Sequence, residues 1–94
     1  MNQTPEIKAR VRIVKGKEPM LASVSFTIDG WLVLRDGVLR QGSNGPFVSF
    51  PSRKYETKEG EVEYSDYYFP ISREHRELMF KAAWQEYEKA LETA

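Results

Sequence analysis

No cysteine occurs in the 94 residues, so neither a disulfide framework nor a thiolate zinc site is open to this chain. A single histidine, His75, is the whole imidazole supply; it offers one candidate base for a serine or threonine nucleophile and no partner to orient it. Flanked by Arg73, Glu74 and Arg76, it reads as a helix-surface residue. Apolar runs are short. None approaches the roughly 18 residues a membrane-spanning helix needs, and the opening MNQTPEIKAR lacks the apolar stretch of a secretory signal. A cytoplasmic protein without a membrane partner, metal, cofactor or small-molecule substrate is expected, and not an enzyme.

Net charge is also absent, which by itself argues against strong non-specific nucleic-acid binding, since phosphate neutralisation drives such binding. The zero hides an asymmetry. Residues 1–54 hold nine Lys and Arg against four acids, net +5, whereas residues 55–94 hold five against ten, net −5. Opposite halves of this kind attract each other within the fold or across a dimer. A domain of this length buries only about 60 to 70% of the surface of its unfolded chain, and a homodimer would relieve that shortage.

What is present is period-two patterning. Ile7, Ala9, Val11 and Ile13 alternate with Lys8, Arg10 and Arg12, the pattern of a strand with one face in a core and three cations about 7 Å apart on the other. After the loop KGKEPM, the residues Ala22, Val24, Phe26 and Ile28 alternate with Ser23, Ser25 and Thr27 as a second half-buried strand. Asp29-Gly30 supplies the positive-φ pair of a tight hairpin, so WLVLR returns antiparallel. Asp36-Gly37 fits either another turn or a bulge in one longer strand reaching Arg40. GSNG closes the next hairpin, and PFVSF returns until Pro51, which has no amide hydrogen to continue a ladder. Arg53 and Lys54 then lie where the sheet ends. From residue 55 to residue 69 the acidic, polar chain around Gly60 fits a mobile loop or an edge hairpin.

Ser72 caps the one convincing helix, expected over about residues 73 to 91. At 100° per residue, Phe80, Ala83, Trp84, Tyr87 and Leu91 form the stripe that meets a sheet. Leu78 and Ala82 lie opposite and suit a subunit contact, with Glu77 and Lys81 as an i,i+4 pair on the flank. Residues 1–5 are expected to be disordered, and the rest to form one domain without repeats or linkers. The fold class is therefore α+β: an antiparallel sheet of hairpin-connected strands with one C-terminal amphipathic helix.

Few constellations carry chemistry. Glu59, Glu61, Glu63 and Asp66 lack the ligand spacing of a calcium loop. GSNG has the form of a Gly-x-x-Gly clamp, but that clamp joins two helices. FVSF matches the end of the RNA-recognition strand motif, but the Pro19-bearing link between the first two strands is too short for the crossover helix that such a fold requires. Phe47 and Phe50 point to opposite strand faces, so at most one can stack on a base; core packing is expected for both. What remains is a cationic rim, Lys8, Arg10, Arg12 and Arg40 together with Arg53 and Lys54, suited to phosphate contacts.

In order, the basic strand, ASVSFTID, a returning strand with RDG, GSNGPFVSFPSRK, DYYFPI and a helix ending QEY resemble the SpoVG family of bacterial septation and sporulation regulators. The central match is Gly42, Asn44, Gly45, Phe47, Val48, Pro51, Ser52, Arg53 and Lys54; Asp66, Pro70, Ile71 and Tyr87 match further on. Gly37, Val38 and Phe69 depart from the family pattern, as does a longer loop bearing Glu56, Glu59, Glu61 and Glu63. The resemblance implies a small α+β homodimer that binds DNA or RNA as a regulator, with Arg53 and Lys54 as its basic contact pair. The alternative is a protein-interaction module of the division machinery that binds no nucleic acid.

Overall fold

The computed structural model describes residues 4–93, so the expectation of disorder falls outside them for residues 1–3. Six strands precede one helix: β1 (Ile7–Ile13), β2 (Met20–Ile28), β3 (Leu32–Gly42), β4 (Gly45–Ser49), β5 (Ser52–Glu56), β6 (Val62–Asp66) and α1 (Arg73–Thr93). The first four form an antiparallel sheet in the order β1-β2-β3-β4, and β5 and β6 form a separate two-stranded ribbon. The α+β architecture is as expected. Of the two possibilities for residues 55 to 69, the hairpin is realised, and it begins earlier, at Ser52.

Alternation decides which face is buried. Ala9 pairs with Phe26, Val11 with Val24 and Ile13 with Ala22, while Arg10 pairs with Ser25 and Arg12 with Ser23. Directly opposed residues share a face, so β1 and β2 present one apolar side and one side of cations and hydroxyls. The β2–β3 turn follows from Asp29 and Gly30, whose φ values of 52° and 76° are left-handed; the Trp31 amide donates to the Ile28 carbonyl at 3.2 Å across them, and the ladder resumes with Ile28 opposite Leu32.

β3 is one strand of 11 residues. Its Asp36-Gly37 step is a bulge rather than a turn: Val24 faces Gly37 and Phe26 faces Leu34, leaving Arg35 and Asp36 both opposite Ser25. Asp36 takes a φ of 68° to absorb the extra residue.

The helix lies on the apolar side, chiefly against β1 and more lightly against β2 and β4. Ala22, Val24, Phe26 and Leu39 from the sheet meet Met79 and Ala83 from α1 in the core. Phe80, Trp84 and Tyr87 border it as an aromatic row with centroids 5.9 and 5.3 Å apart. Two features of the expected stripe change. Met79 is buried in place of Leu91, which is half exposed: the buried line of the helix runs through Met79 and Ala83, and Ala90, not Leu91, lies towards β1 on the last turn. Ala82 lines an open groove with Ile7, Ala9 and Val11, so it faces the β1 edge of its own sheet.

Capping is as read from the sequence: the His75 amide donates to Ser72 Oγ at 3.1 Å, and the Ser72 hydroxyl also meets the His75 ring. Glu77 pairs with Arg73 at 3.3 Å, not with Lys81. Both i−4 and i+4 partners are within reach, and this exposed pair contributes little in either arrangement.

The ribbon stands apart, with every residue of β5 and β6 exposed and no substantial packing against another element. It gives the chain a Cα radius of gyration of 14.8 Å, above the roughly 12 Å of a compact domain of this length. Two measurements check this arrangement by denaturant unfolding. Phe26→Ala should cost about 3 to 5 kcal/mol, as a fully buried ring is replaced by a cavity, whereas Leu91→Ala should cost under about 1 kcal/mol, as for a surface position.

Candidate nucleic-acid interface

One face of the four-stranded sheet has no helix over it. The side chains of Lys8, Arg10 and Arg12 from β1, Ser23, Ser25 and Thr27 from β2, and Val33, Val38 and Arg40 from β3 share that face by strand register. Phe47 and Ser49 of β4 extend it, opposite Arg40 and Val38. A shallow trough of about 470 Å³ runs over its middle, lined by Arg10, Arg12, Ser23, Ser25, Thr27, Val33, Arg35 and Asp36. Arg35 follows Val33 onto this face by plain alternation. The bulge sets Asp36 beside it and resets the phase, so that Val38 and Arg40 rather than Leu39 point outward.

The charge on this face is largely uncompensated. Five cations (Lys8, Arg10, Arg12, Arg35 and Arg40) stand beside two acids, Glu6 and Asp36. Among the described residues only Lys8 of these cations is in an ion pair, with Glu6 at 3.5 Å and both side chains well exposed; such a pair is worth at most about 1 kcal/mol and yields readily to a competing anion. Arg40 is fixed by donation from Nε to Ser49 Oγ at 2.9 Å, which leaves its terminal guanidinium nitrogens free to donate. Serine and threonine hydroxyls fill the space between cations with groups that donate and accept.

Phe47 lies on this same face, against the expectation of core packing. It is 46% exposed, because its neighbour Val48 takes the inward position opposite Leu39. Phe50 alone packs inward, edge-on to Tyr68 at a centroid distance of 5.4 Å. The Phe47 ring rests over Gly42, where a Cβ would come within 2.9 Å of ring carbon Cε1, so only glycine lets it lie there.

Arg53 and Lys54 are located differently. Arg53 opposes Ser65 and Lys54 opposes Tyr64 in the ribbon, so their side chains leave it on opposite faces. Among the described residues neither is in an ion pair. Residues 52–66 nevertheless hold three cations against five acids, net −2. Tyr55 shares the Arg53 face and donates to Glu63 Oε2 at 2.7 Å. That bond raises its phenol pKa, loss of a little hydration adds to the rise, and the Arg53 charge opposes both.

The structure thus brings Lys8, Arg10, Arg12 and Arg40 onto one face, adds Arg35 and Phe47, and sets Arg53 and Lys54 at the root of an acidic ribbon. Arg35 was missed in the sequence, although alternation within WLVLR sets it on the face of Val33, opposite the inward Leu34.

An α+β sheet protein with one uncovered cationic face and a projecting ribbon is the class these features define. A sequence model of the SpoVG family matches residues 5–89. The chain is 42% identical over 83 residues to a protein of Caldanaerobacter subterraneus subsp. tengcongensis named "Putative septation protein SpoVG", covering 88% of this chain and 87% of that one. Proteins of the same name from Caldicellulosiruptor saccharolyticus and Clostridium perfringens are 38% and 40% identical. They align with 87% and 85% of this chain, and with 89% and 84% of their own lengths. The chain belongs to the SpoVG family.

Tyr68 holds the bulge that shapes the face, donating its hydroxyl to the Arg35 carbonyl at 2.6 Å. Burial, and then the charge of Asp36, raise its pKa above the ordinary 10.0. A raised folded pKa means that its stabilisation is complete below about pH 10 and is lost as pH climbs through the folded value. Tyr68→Phe should therefore lower stability by about 1 kcal/mol at neutral pH, and thermal melts should show the deficit shrinking above pH 10.

Proposed function

We propose that this chain is a small dimeric bacterial regulator, acting in the cytoplasm in septation or sporulation, that binds DNA or RNA phosphates through its basic rim. Binding, not catalysis, is its activity. The observation that supports this most is the uncovered sheet face, where Arg10, Arg12, Arg35 and Arg40 carry no counter-charge in an ion pair among the described residues. Cations left unpaired on a surface without a covering element are available to release counterions from a polyanion. Family membership supports the same reading, and the relatives' printed name supplies the link to septation.

Within this reading Arg10 and Arg12, about 7 Å apart on β1, span neighbouring phosphates. Arg35 and Arg40 continue the positive field across β3, and Lys8 joins by exchanging Glu6 for a phosphate. Arg53, with a planar donor fork, and Lys54, a point charge, extend the rim towards the ribbon. The acids of the ribbon keep its tip away from phosphate.

A specific observation favours protein contact as a second role, through the ribbon and the segment that follows it. Val62, Tyr64, Tyr67, Phe69 and Ile71 are all exposed, Ile71 at 94%. A lone two-stranded ribbon is at best marginally stable in water, and a cluster of exposed apolar side chains marks an interaction surface. The simplest partner is a second copy, whose basic half complements the acidic ribbon. No helix among the described residues is long and apolar enough to cross a membrane.

Fluorescence anisotropy across a salt series tests the binding. Affinity for an oligonucleotide duplex should fall steeply with salt, and Arg10→Ala with Arg12→Ala should reduce the log-log slope by about 1.8 per subunit. Salt-independent or absent binding would favour the interaction module without nucleic acid. Sedimentation should find a particle of two 10.9 kDa chains, and a monomer at micromolar concentration would contradict the dimer.

A further inference from the structure

We infer that the open sheet face binds single-stranded nucleic acid, with Phe47 as the platform on which a base stacks and the arginines of β1 and β3 as its phosphate contacts. The inference rests on the nucleic-acid reading above and commits it to a strand form, a surface and an aromatic residue.

Shape separates the strand forms. The major groove of a duplex is about 12 Å wide and admits a helix or a two-stranded ribbon. Four strands span about 14 Å between their outer backbones before side chains are added, so this sheet cannot enter the groove and would meet a duplex only along its outer phosphates. The elements narrow enough to enter are the β5–β6 ribbon and α1, and neither carries a positive balance: net −2 over residues 52–66 and, with four cations against five acids, net −1 over residues 73–93. A single strand has no such constraint. It can lie across the face, turn its phosphates to the cations and unstack a base onto a ring.

The face is equipped for that at both ends. On β1 and β3, Arg10, Arg12 and Arg35 surround the hydroxyl-lined trough. On β4, three strand spacings away, the Phe47 ring is exposed and laid over Gly42, with Arg40 directly across the ladder from it. Arg40 is itself held by Ser49. A strand running from the trough to Phe47 passes Arg40 immediately before the ring, so one phosphate and the next base are met in order. The span suits a short site, on the order of four nucleotides, the lower end for sheet-based single-strand binders. An exposed phenylalanine beside a fixed arginine has no role in a face that contacts phosphates alone. Stacking gives it one, and it is tolerant of sequence because every base has a π-face.

The test is anisotropy with labelled dT12, U12 and a 20-base-pair duplex, for the full chain and for Phe47→Leu, Phe47→Tyr and Arg10→Ala with Arg12→Ala. Leucine keeps an apolar cover over Gly42 but removes the ring; tyrosine restores it. Both single strands should bind more tightly than the duplex. Phe47→Leu should weaken single-strand binding about tenfold with an unchanged salt slope, since it removes stacking and no charge. Phe47→Tyr should recover it, and the double arginine variant should lower the single-strand slope by about 1.4. A preference for dT12 or for U12 identifies the sugar recognised, and either accords with the inference if the Phe47 effects hold. Unchanged binding in a folded Phe47→Leu, or a duplex bound as tightly as the single strands, overturns the inference while leaving the nucleic-acid reading standing. Failure of all three oligonucleotides to bind overturns both.

Discussion

A four-stranded sheet with one helix can bury only one of its faces, and here the period-two alternation of β1 and β2 decides which. Phe26, Val24 and Ala22 go under the helix with Met79 and Ala83; Arg10, Arg12, Ser23 and Ser25 are left outside on the same ladder. The core and the cationic face are therefore one choice of register. A one-residue slip would bury the arginines and expose Phe26, at a cost of several kcal/mol per unpaired buried charge. The surface chemistry is thus held by the hydrophobic core on the other side of the same backbone.

Two local devices adapt that sheet. The Asp36-Gly37 bulge places both Arg35 and Asp36 opposite Ser25, with Tyr68 clamping the Arg35 carbonyl from the segment after the ribbon. Gly42 lets the Phe47 ring settle on the open face beside Arg40. Net neutrality is then not a contradiction of phosphate binding. The chain's excess acids lie in the ribbon and along α1, and of these Glu86 lines a groove with Lys8 and Arg10 at the β1 edge; the open face itself keeps an excess of cations although the sum is zero. Attraction falls off over about 10 Å at moderate salt, and local distribution matters more than the total.

Alternation made β1, β2 and the three β1 cations legible from sequence, because a half-buried strand writes its two faces directly into the residue order. Asp29-Gly30 and Ser72 were legible for the same reason: each answers a local backbone demand. The helix stripe was read turned to one side, with Leu91 for Met79, since the aromatic residues drew its centre to Trp84 whereas the buried line runs through Met79 and Ala83. Arg35 was legible by alternation with Val33 in WLVLR but went unread; what the bulge hid was the phase of the residues beyond it, from Gly37 to Arg40. Phe47 was seen to oppose Phe50, yet a phenylalanine's default is burial, and only the inward Val48 shows that β4 spends its core position elsewhere. For the ribbon, charge and glycine suggested a loop or hairpin; what could not be read was that its root splits Arg53 and Lys54 between two faces.

The central claim is that the open sheet face, not the ribbon, carries the nucleic-acid contact. The most direct measurement is an NMR titration of the arginine Nε–Hε signals with a short single-stranded oligonucleotide. Those of Arg10, Arg12, Arg35 and Arg40 should shift together and return on adding salt. Shifts confined to Arg53, or to Arg73 and Arg76 on the helix, would contradict it.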